Sequence, residues 1–499
     1  MSTTGIEFEL REVSRGAVYS FAGKIAWSGL HFLTRLVVAR TLGARIFGDY
    51  VLCTTLISIG GIISCVGFPS AIVRYGAMYR AAGDGARLRG LYRGTMGSAF
   101  ILGSVITVAV YAAAPAVSQS LFHKESLVAP LRIFSFSLPV FGLMMLMWSA
   151  LQSQRAVGMQ VLSENVMRPA ILLSLVLFLS ISGLTIEKVS WAFVASVFAT
   201  AAASYAMTLK SSPLLRGAAK PVFERREIVR YSVPLMLSVV VANMSGWSDA
   251  VLLGIFRDSS EVGVLNGAAL VAGMGSMILV SLSVLFAPLI SEMHHRGETD
   301  RMAELTKVVS RWSVTLSLPV FVPLMMFPGE VMGFLFGKDF SAGGVCLFLV
   351  ALGCAATAGS GPVGSLLMMA GKQDMVLLNT VGAVGLRVLL SLALIPGHGA
   401  VGVAFASMVC SFTAGAAAVL MVKGFLGFHP FSRGYFVPVL AACGGILAGL
   451  GVGSAVGQGG GLWRLAPPLV FMIVYLAVVG LYGIRDEDRL IVGTLRNKL

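Results

Sequence analysis

The stretch GAVYSFAGKIAWSGLHFLTRLVVA, Gly16 to Ala39, decides how the rest of the chain is read. A helix needs about 20 predominantly apolar residues to cross a bilayer, and this run is long enough. Yet it carries Lys24, His31 and Arg35. At about 100° per residue, steps of seven and eleven residues return to within about 20° of the starting direction. The three side chains therefore share one face, flanked by Ser20 and Ser28. Along the axis they form a stripe roughly 16 Å long. Charged groups at membrane depth are costly and usually face a bundle interior or a wet cavity. A cationic stripe facing a cavity suits an anionic cargo. The alternative is that Lys24 and Arg35 snorkel to opposite interfaces. Their shared face favours the cavity.

Composition agrees with a polytopic membrane protein. Of 499 residues, 57% are hydrophobic and 12% charged, where soluble domains average about 25% charged. The net charge of +14 does not point to nucleic acid, because the Lys and Arg residues sit in short loops between apolar runs. Cys53, Cys65, Cys346, Cys354, Cys410 and Cys443 all fall in apolar segments without C-x-x-C spacing, so they read as small core residues. No cleavable signal peptide is expected: the first apolar segment is too long and too charged for an h-region.

The expected fold is an all-α integral membrane protein of about fourteen transmembrane helices. Spans are placed near 16–39, 49–73, 94–115, 128–152, 167–183, 189–209, 231–256, 262–290, 312–335, 343–369, 376–396, 399–422, 434–456 and 463–484. The eleventh and twelfth are divided by Pro396-Gly397-His398-Gly399, a helix-ending combination. With the N-terminus cytoplasmic, most of the 37 Lys and Arg residues fall in cytoplasmic loops, Arg155 and Arg168 among them. Both termini are then cytoplasmic and the protein sits in the cell membrane. Residues 1–209 form an N-terminal lobe of six helices, 210–230 a basic cytoplasmic linker, 231–422 a C-terminal lobe of six helices, 434–484 two extra helices, and 485–499 a cytoplasmic tail.

An internal repeat supports the two lobes. Leu42-Gly43 with Gly48-Asp-Tyr50, Gly67-Phe-Pro69 and Gly83-Asp84 correspond to Leu253-Gly254 with Gly263-Val-Leu265, Ala287-Pro288 and Gly297-Glu298. Gly48 and Gly263 are 215 residues apart. Both copies follow an odd-numbered helix, so they share orientation and form a parallel pseudo-repeat.

Motifs of catalysis are lacking. There is no phosphate-cradling G-x-x-x-x-G-K-[ST], no H-E-x-x-H and no G-x-S-x-G. Short outer loops leave no room for an external catalytic domain. The chemistry rests on ionisable residues within spans. Arg387, near the middle of the eleventh span, joins Lys24, His31 and Arg35 as a candidate contact for an anion. Arg74 and Arg132 lie near span ends and read first as interface anchors. Asp249 reads as a salt-bridge partner or a group that titrates with a coupling ion. His31 is either a neutral core residue or a titrating one. Gly445, Gly449, Gly453 and Gly457 form a small-residue row for close helix packing, with a lipid chain as the alternative occupant. Pro139, Pro234, Pro319 and Pro323 are expected to kink spans.

Several stretches are similar to a known family. Ala39-Arg40-Thr-Leu-Gly43 followed by Phe47-Gly48-Asp-Tyr50, Gly67-Phe-Pro69-Ser-Ala71 with Arg74, and Ile395-Pro396-Gly-His-Gly399-Ala-Val-Gly402-Val-Ala404-Phe-Ala406 resemble the polysaccharide flippases, O-antigen type included. These belong to the multidrug/oligosaccharidyl-lipid/polysaccharide exporter superfamily. The resemblance implies two six-helix bundles, often with two further helices, and alternating access. It implies a polyprenyl-pyrophosphate-linked glycan as cargo, moved from the cytoplasmic to the outer leaflet for polysaccharide biosynthesis. Lys24, His31, Arg35 and Arg387 are the positions that would meet the pyrophosphate. No enzyme activity or cofactor is implied; H+ or Na+ is the candidate coupling ion. Membrane lipid and a polysaccharide polymerase or ligase are the expected partners. The alternatives are a peptidoglycan-precursor flippase, a membrane glycan ligase or polymerase, and a multidrug/cation antiporter. The last is disfavoured because the first span contains no Asp or Glu.

Overall fold

The computed structural model describes residues 3–212, 220–456 and 466–483, with side chains from residue 19 onward except 455 and 456. Residues 213–219 of the expected linker, Gly457, Arg464 and the tail 485–499 lie outside them. Among the described residues all regular elements are helical. In order they are α1 (Thr3–Cys65), α2 (Phe68–Ala81), α3 (Gly85–Ala116), α4 (Val128–Ser135), α5 (Leu138–Ser153), α6 (Val157–Ser180), α7 (Ile186–Ser211), α8 (Arg225–Phe256), α9 (Ser259–His295) and α10 (Thr299–Met326). Then come α11 (Pro328–Phe336), α12 (Gly344–Ser360), α13 (Val363–Met369), α14 (Gln373–Leu426), α15 (Phe436–Val456) and α16 (Ala466–Tyr482).

By length and composition ten described helices could cross a membrane, or eleven if the bent pair Glu125–Ser135 and Leu138–Ser153 counts as one span. The sequence suggested about fourteen. The runs Tyr19–Ala81 and Gln373–Leu426 each hold two expected spans, and α16 has only 17 residues. Within α1 the helix breaks at Gly43, φ 78°, and within α14 at Gly399, φ 53°. Both breaks fall in the glycine-bearing turns expected from sequence. A positive φ is open to glycine at little cost, whereas a Cβ would clash with the following carbonyl.

Other ends differ from expectation. The expected span 49–73 is interrupted at Gly67-Phe-Pro69. The chain turns at Val66 and Gly67, and α2 restarts with Pro69 in its first turn, where a missing N–H is harmless. Pro139 likewise occupies the first turn of α5, after a 49° bend, rather than kinking a continuous helix. Pro234, Pro319 and Pro323 do lie inside helices. The start of α3 is capped by Asp84, whose carboxylate accepts from the Arg87 backbone N–H at 2.9 Å.

The chain forms two compact units, Met1–Gly263 and Val264–Leu499. The helix α8 falls in the first. Both its ends are tied there: the Tyr75 hydroxyl donates to Glu227 at 3.1 Å, and Lys124 Nζ donates to the Gly254 carbonyl at 2.7 Å. Phe68, Ile72, Tyr75, Leu88, Leu91, Tyr92 and Leu146 form a buried core between α2, α3 and α5. In the second unit, Leu282, Phe286, Val309, Leu366 and Val422 form another. There the glycine row of α15 seats α16: Gly445 faces Phe471 and Gly449 faces the Pro467 carbonyl. The Tyr475 hydroxyl donates to the Thr315 carbonyl of α10 at 2.8 Å.

The repeated glycines meet. A Cβ at Gly48 would overlap the Ser259 carbonyl, and one at Gly263 would overlap the Ala44 carbonyl. Ala44 and Ser259 stand in the same register as Gly48 and Gly263, 215 residues apart. The repeat read from sequence thus reappears as a reciprocal helix crossing. Overpacking costs about 1–3 kcal/mol. Gly48→Ala and Gly263→Ala are each expected to lower the thermal midpoint of the purified protein. Gly97→Ala, which faces open space, is expected to leave it unchanged.

Candidate functional site

The cationic face of α1 is more exposed at its start than further along. Lys24 is exposed, while His31 and Arg35 are partly buried. The His31 ring stacks on Trp27, one turn earlier, with centroids 4.9 Å apart and planes at 12°. Arg35 lies one turn further on, within electrostatic range of His31 and of the buried Tyr50 hydroxyl. Its Nε is shielded from solvent and has no hydrogen-bond partner among the described residues. A buried polar atom without a partner costs about 1–3 kcal/mol, more for a charged group.

A third cation completes the group. Arg168 lies within electrostatic range of His31, Tyr50 and Glu164. Its guanidinium stands over the Phe141 ring at 5.2 Å and the Phe193 ring at 5.6 Å. The Lys and Arg bias counts Arg168 with the cytoplasmic set, at the start of the span expected near 167–183. The structure corrects this: Arg168 lies well inside the continuous helical run Val157–Ser180. The turn before it, Leu162–Met167, is π-helical. A wide turn moves the preceding carbonyls away from the Pro169 ring, so the helix continues through the proline. The signal available in the sequence was the spacing of Glu164 and Arg168, four apart as in a helical ion pair.

The π-helical turn is held from two sides. Trp148 Nε1 donates to Ser163 Oγ at 3.1 Å, and Ser163 and Ser204 share a hydrogen bond of 2.6 Å. Gln160 Nε2 donates to Glu164 Oε2 at 3.1 Å. Gly23 packs directly against Val161 and Asn165, bringing α1 close to α6. The result is two arginines and a histidine among aromatic rings, with Glu164 in reach of one arginine. Each arginine deep in a bilayer costs about 3 kcal/mol even on lenient scales. Cation–π contact returns about 0.5–2 kcal/mol.

Arg132 and Arg74 have ring and hydrogen-bond contacts of their own. Arg132 Nε donates to the Tyr111 carbonyl at 3.4 Å and its guanidinium covers the Tyr111 ring at 4.8 Å. Arg74 is exposed and sits over the Tyr231 ring at 4.7 Å. Asp249 is partly buried in α8. Arg387 belongs to the second unit, in α14, within electrostatic range of Cys354 of α12.

At the opposite end of the first unit from Arg74, Asp49 is a carboxylate only 2% exposed. It accepts from Ser126 Oγ at 2.8 Å and also from Ser259 Oγ. Lys124 lies nearby; burial pushes its ammonium below the usual lysine range, opposed by Asp49. This cluster joins α1, the segment before α4, and the start of α9.

A family model described as polysaccharide biosynthesis protein matches residues 13–294. The probable low-salt glycan biosynthesis flippase Agl15 of Haloferax volcanii is 24% identical over 401 residues, 79% of this chain and 80% of that protein. Among solved structures, the lipid II flippase MurJ in an inward closed conformation superposes with a TM-score of 0.73 at 13% identity, covering 94% of this chain and 98% of that one. An inward-facing multidrug resistance MATE family transporter of the MOP superfamily gives 0.69 at 14% identity, covering 82% and 98%. These structural likenesses establish a shared fold.

Removing the acceptor of the Asp49 cluster leaves two hydroxyls unpaired. Asp49→Ala is expected to destabilise the protein by about 1–3 kcal/mol in thermal unfolding in detergent. Ser126→Ala should cost less than Asp49→Ala, and the double variant should cost little more than Asp49→Ala alone.

Proposed function

Because this chain belongs to the polysaccharide biosynthesis protein family, we propose that it is a flippase. It carries a polyprenyl-pyrophosphate-linked oligosaccharide from the cytoplasmic to the outer leaflet of the cell membrane. The observation that carries this reading is the Arg35–His31–Arg168 group, buried among rings with an arginine Nε left without a partner. A pyrophosphate esterified at both ends is a compact dianion. Guanidinium forks match its oxygens in paired hydrogen bonds and stay charged at any working pH. The bilayer interior strengthens such contacts by excluding water.

The Lys and Arg bias supports a cytoplasmic N-terminus, and with it a cytoplasmic Arg74 end of α2. The pyrophosphate would enter from that side and meet Lys24, His31, Arg35 and Arg168; Arg387 of α14 is a further candidate anion contact. The polyprenyl tail stays in lipid while the headgroup passes through the protein. Alternating access would be driven by an H+ or Na+ gradient or by the membrane potential. The named relatives are flippases and transporters, which supports transport rather than glycosyl transfer. A peptidoglycan lipid-precursor flippase is the second reading, favoured by the extent of the fold likeness to the lipid II flippase. The two readings share the anionic headgroup and differ in the glycan.

The test is a lipid extract from cells depleted of the protein, with leaflet position read by a membrane-impermeant sugar-reactive probe. A pyrophosphate-linked glycan should build up on the cytoplasmic side, and its mass identifies the cargo. Build-up on the outer side, or none, would overturn the reading. In complementation of the depleted cells, Arg35→Ala, Arg168→Ala and Arg387→Ala are expected to lower transport at least about tenfold, equivalent to 1.4 kcal/mol, while inserting at normal levels.

A further inference from the structure

A second polar site lies in the first unit, away from the Arg35–Arg168 group. A cleft of 390 Å³ is lined by Pro69, Ser70, Val73 and Arg74 of α2, Ser149 and Gln152 of α5, and Tyr231 of α8. That volume falls in the range of small-molecule sites, about 300–1,000 Å³. Its depth follows from helix length. At 1.5 Å per residue, Arg74 lies about 45 Å along the helices from Ala44, and Tyr231 about 38 Å from Phe256. A hydrocarbon core is about 30 Å thick. With Ala44 and Phe256 at one interface, the cleft reaches the headgroup zone of the other.

Its polar groups are open for use. Arg74 is exposed, held by the Tyr231 ring at 4.7 Å and by a hydrogen bond to the Tyr231 hydroxyl. It has no ion-pair partner among the described residues, and neither the Ser70 hydroxyl nor the Gln152 amide makes a hydrogen bond there. Ser149 donates to the Met145 carbonyl at 3.2 Å and keeps its acceptor capacity. Glu227 is also within electrostatic range of Arg74, but it accepts the Tyr75 hydroxyl at 3.1 Å. Its charge tempers the site, so a bare anion gains little from Arg74 alone. A ligand that offers both a phosphate and several hydroxyls gains from every lining group.

We propose that this cleft is the first-contact site for the phosphosugar end of a lipid-linked glycan: phosphate on Arg74, hydroxyls of the first sugar on Ser70, Ser149 and Gln152. The proposal rests on the flippase reading for its source of ligand. It adds a headgroup-level station that tests for a sugar before the pyrophosphate moves to Arg35 and Arg168. A membrane phospholipid offers the phosphate but not the sugar hydroxyls in this arrangement, and so binds the cleft less well.

The experiment is photo-crosslinking with the full chain in phosphatidylcholine nanodiscs. A Val73→p-benzoylphenylalanine variant is irradiated with geranylgeranyl pyrophosphate carrying one N-acetylglucosamine, and the adduct is measured by intact mass. An adduct is expected that survives excess phosphatidylglycerol. Arg74→Gln, added to that variant, should reduce it about tenfold, and Gln152→Ala about threefold, close to 1.4 and 0.7 kcal/mol. Both side chains are exposed, so folding is retained. An adduct displaced by phosphatidylglycerol, or undiminished in both variants, would make Arg74 a lipid anchor and overturn the proposal. If depleted cells show cytoplasmic build-up but no adduct forms, the cleft falls alone. If the adduct forms as expected without build-up in depleted cells, the cleft stands and the transport reading falls.

Discussion

Two guanidinium groups held inside a membrane bundle set the terms for the first unit. Arg168 is tolerated because two phenyl rings present their negative faces and Glu164 lies in reach. Arg35 has the Tyr50 hydroxyl in range and an Nε with nothing to bind. Such a site is stable only if the surrounding helices resist collapse onto it. The π-helical turn at Leu162–Met167, the serine pair Ser163–Ser204 and the close approach at Gly23 provide that resistance. A fully satisfied ion pair at this place would be more stable; the group keeps hydrogen-bonding capacity that the described residues do not use.

The same logic separates the two ends of the unit. Near Asp49 the carboxylate accepts two hydroxyls and the Lys124 ammonium donates to a carbonyl. Near Arg74 the acidic residues are engaged, Glu224 by Tyr79 and by Arg87 at 3.0 Å, Glu227 by Tyr75, while the cation and its neighbouring amide are left available. One end is closed by its own hydrogen bonds, and the other presents donors outward.

Much of this was legible in the sequence, for reasons that can be named. Long apolar runs force helices, because backbone groups in lipid have no other partners. Gly43 and Gly399 marked turns because positive φ suits few other residues. His31 and Arg35 were found by helical periodicity alone. Arg168 was missed because Pro169 resembled a helix start, and only a widened turn, which has no sequence signature, lets the helix run through it. The ends of α2 and α8 were misplaced for a related reason. Glu224 and Glu227 fall in the stretch read as a linker, 210–230, yet the hydroxyls of Tyr79 and Tyr75 on α2 engage them at the start of α8. The bend before Pro139 could not be distinguished from an internal kink, since both place proline after an apolar segment.

The crossing of Gly48 with Gly263 has a further consequence. Each glycine meets the backbone beside the other, at the same register, so the contact is self-complementary in the manner of an isologous interface between identical subunits. Residues 44–48 and 259–263 therefore carry one shared geometric constraint, not two independent ones. A side chain added at either position consumes the same gap, and enlargement at one cannot be relieved by change at its counterpart, which is already the smallest residue available. A half-length chain bearing only one copy of this segment would hold, in the same two residues, the means to pair with a second copy of itself.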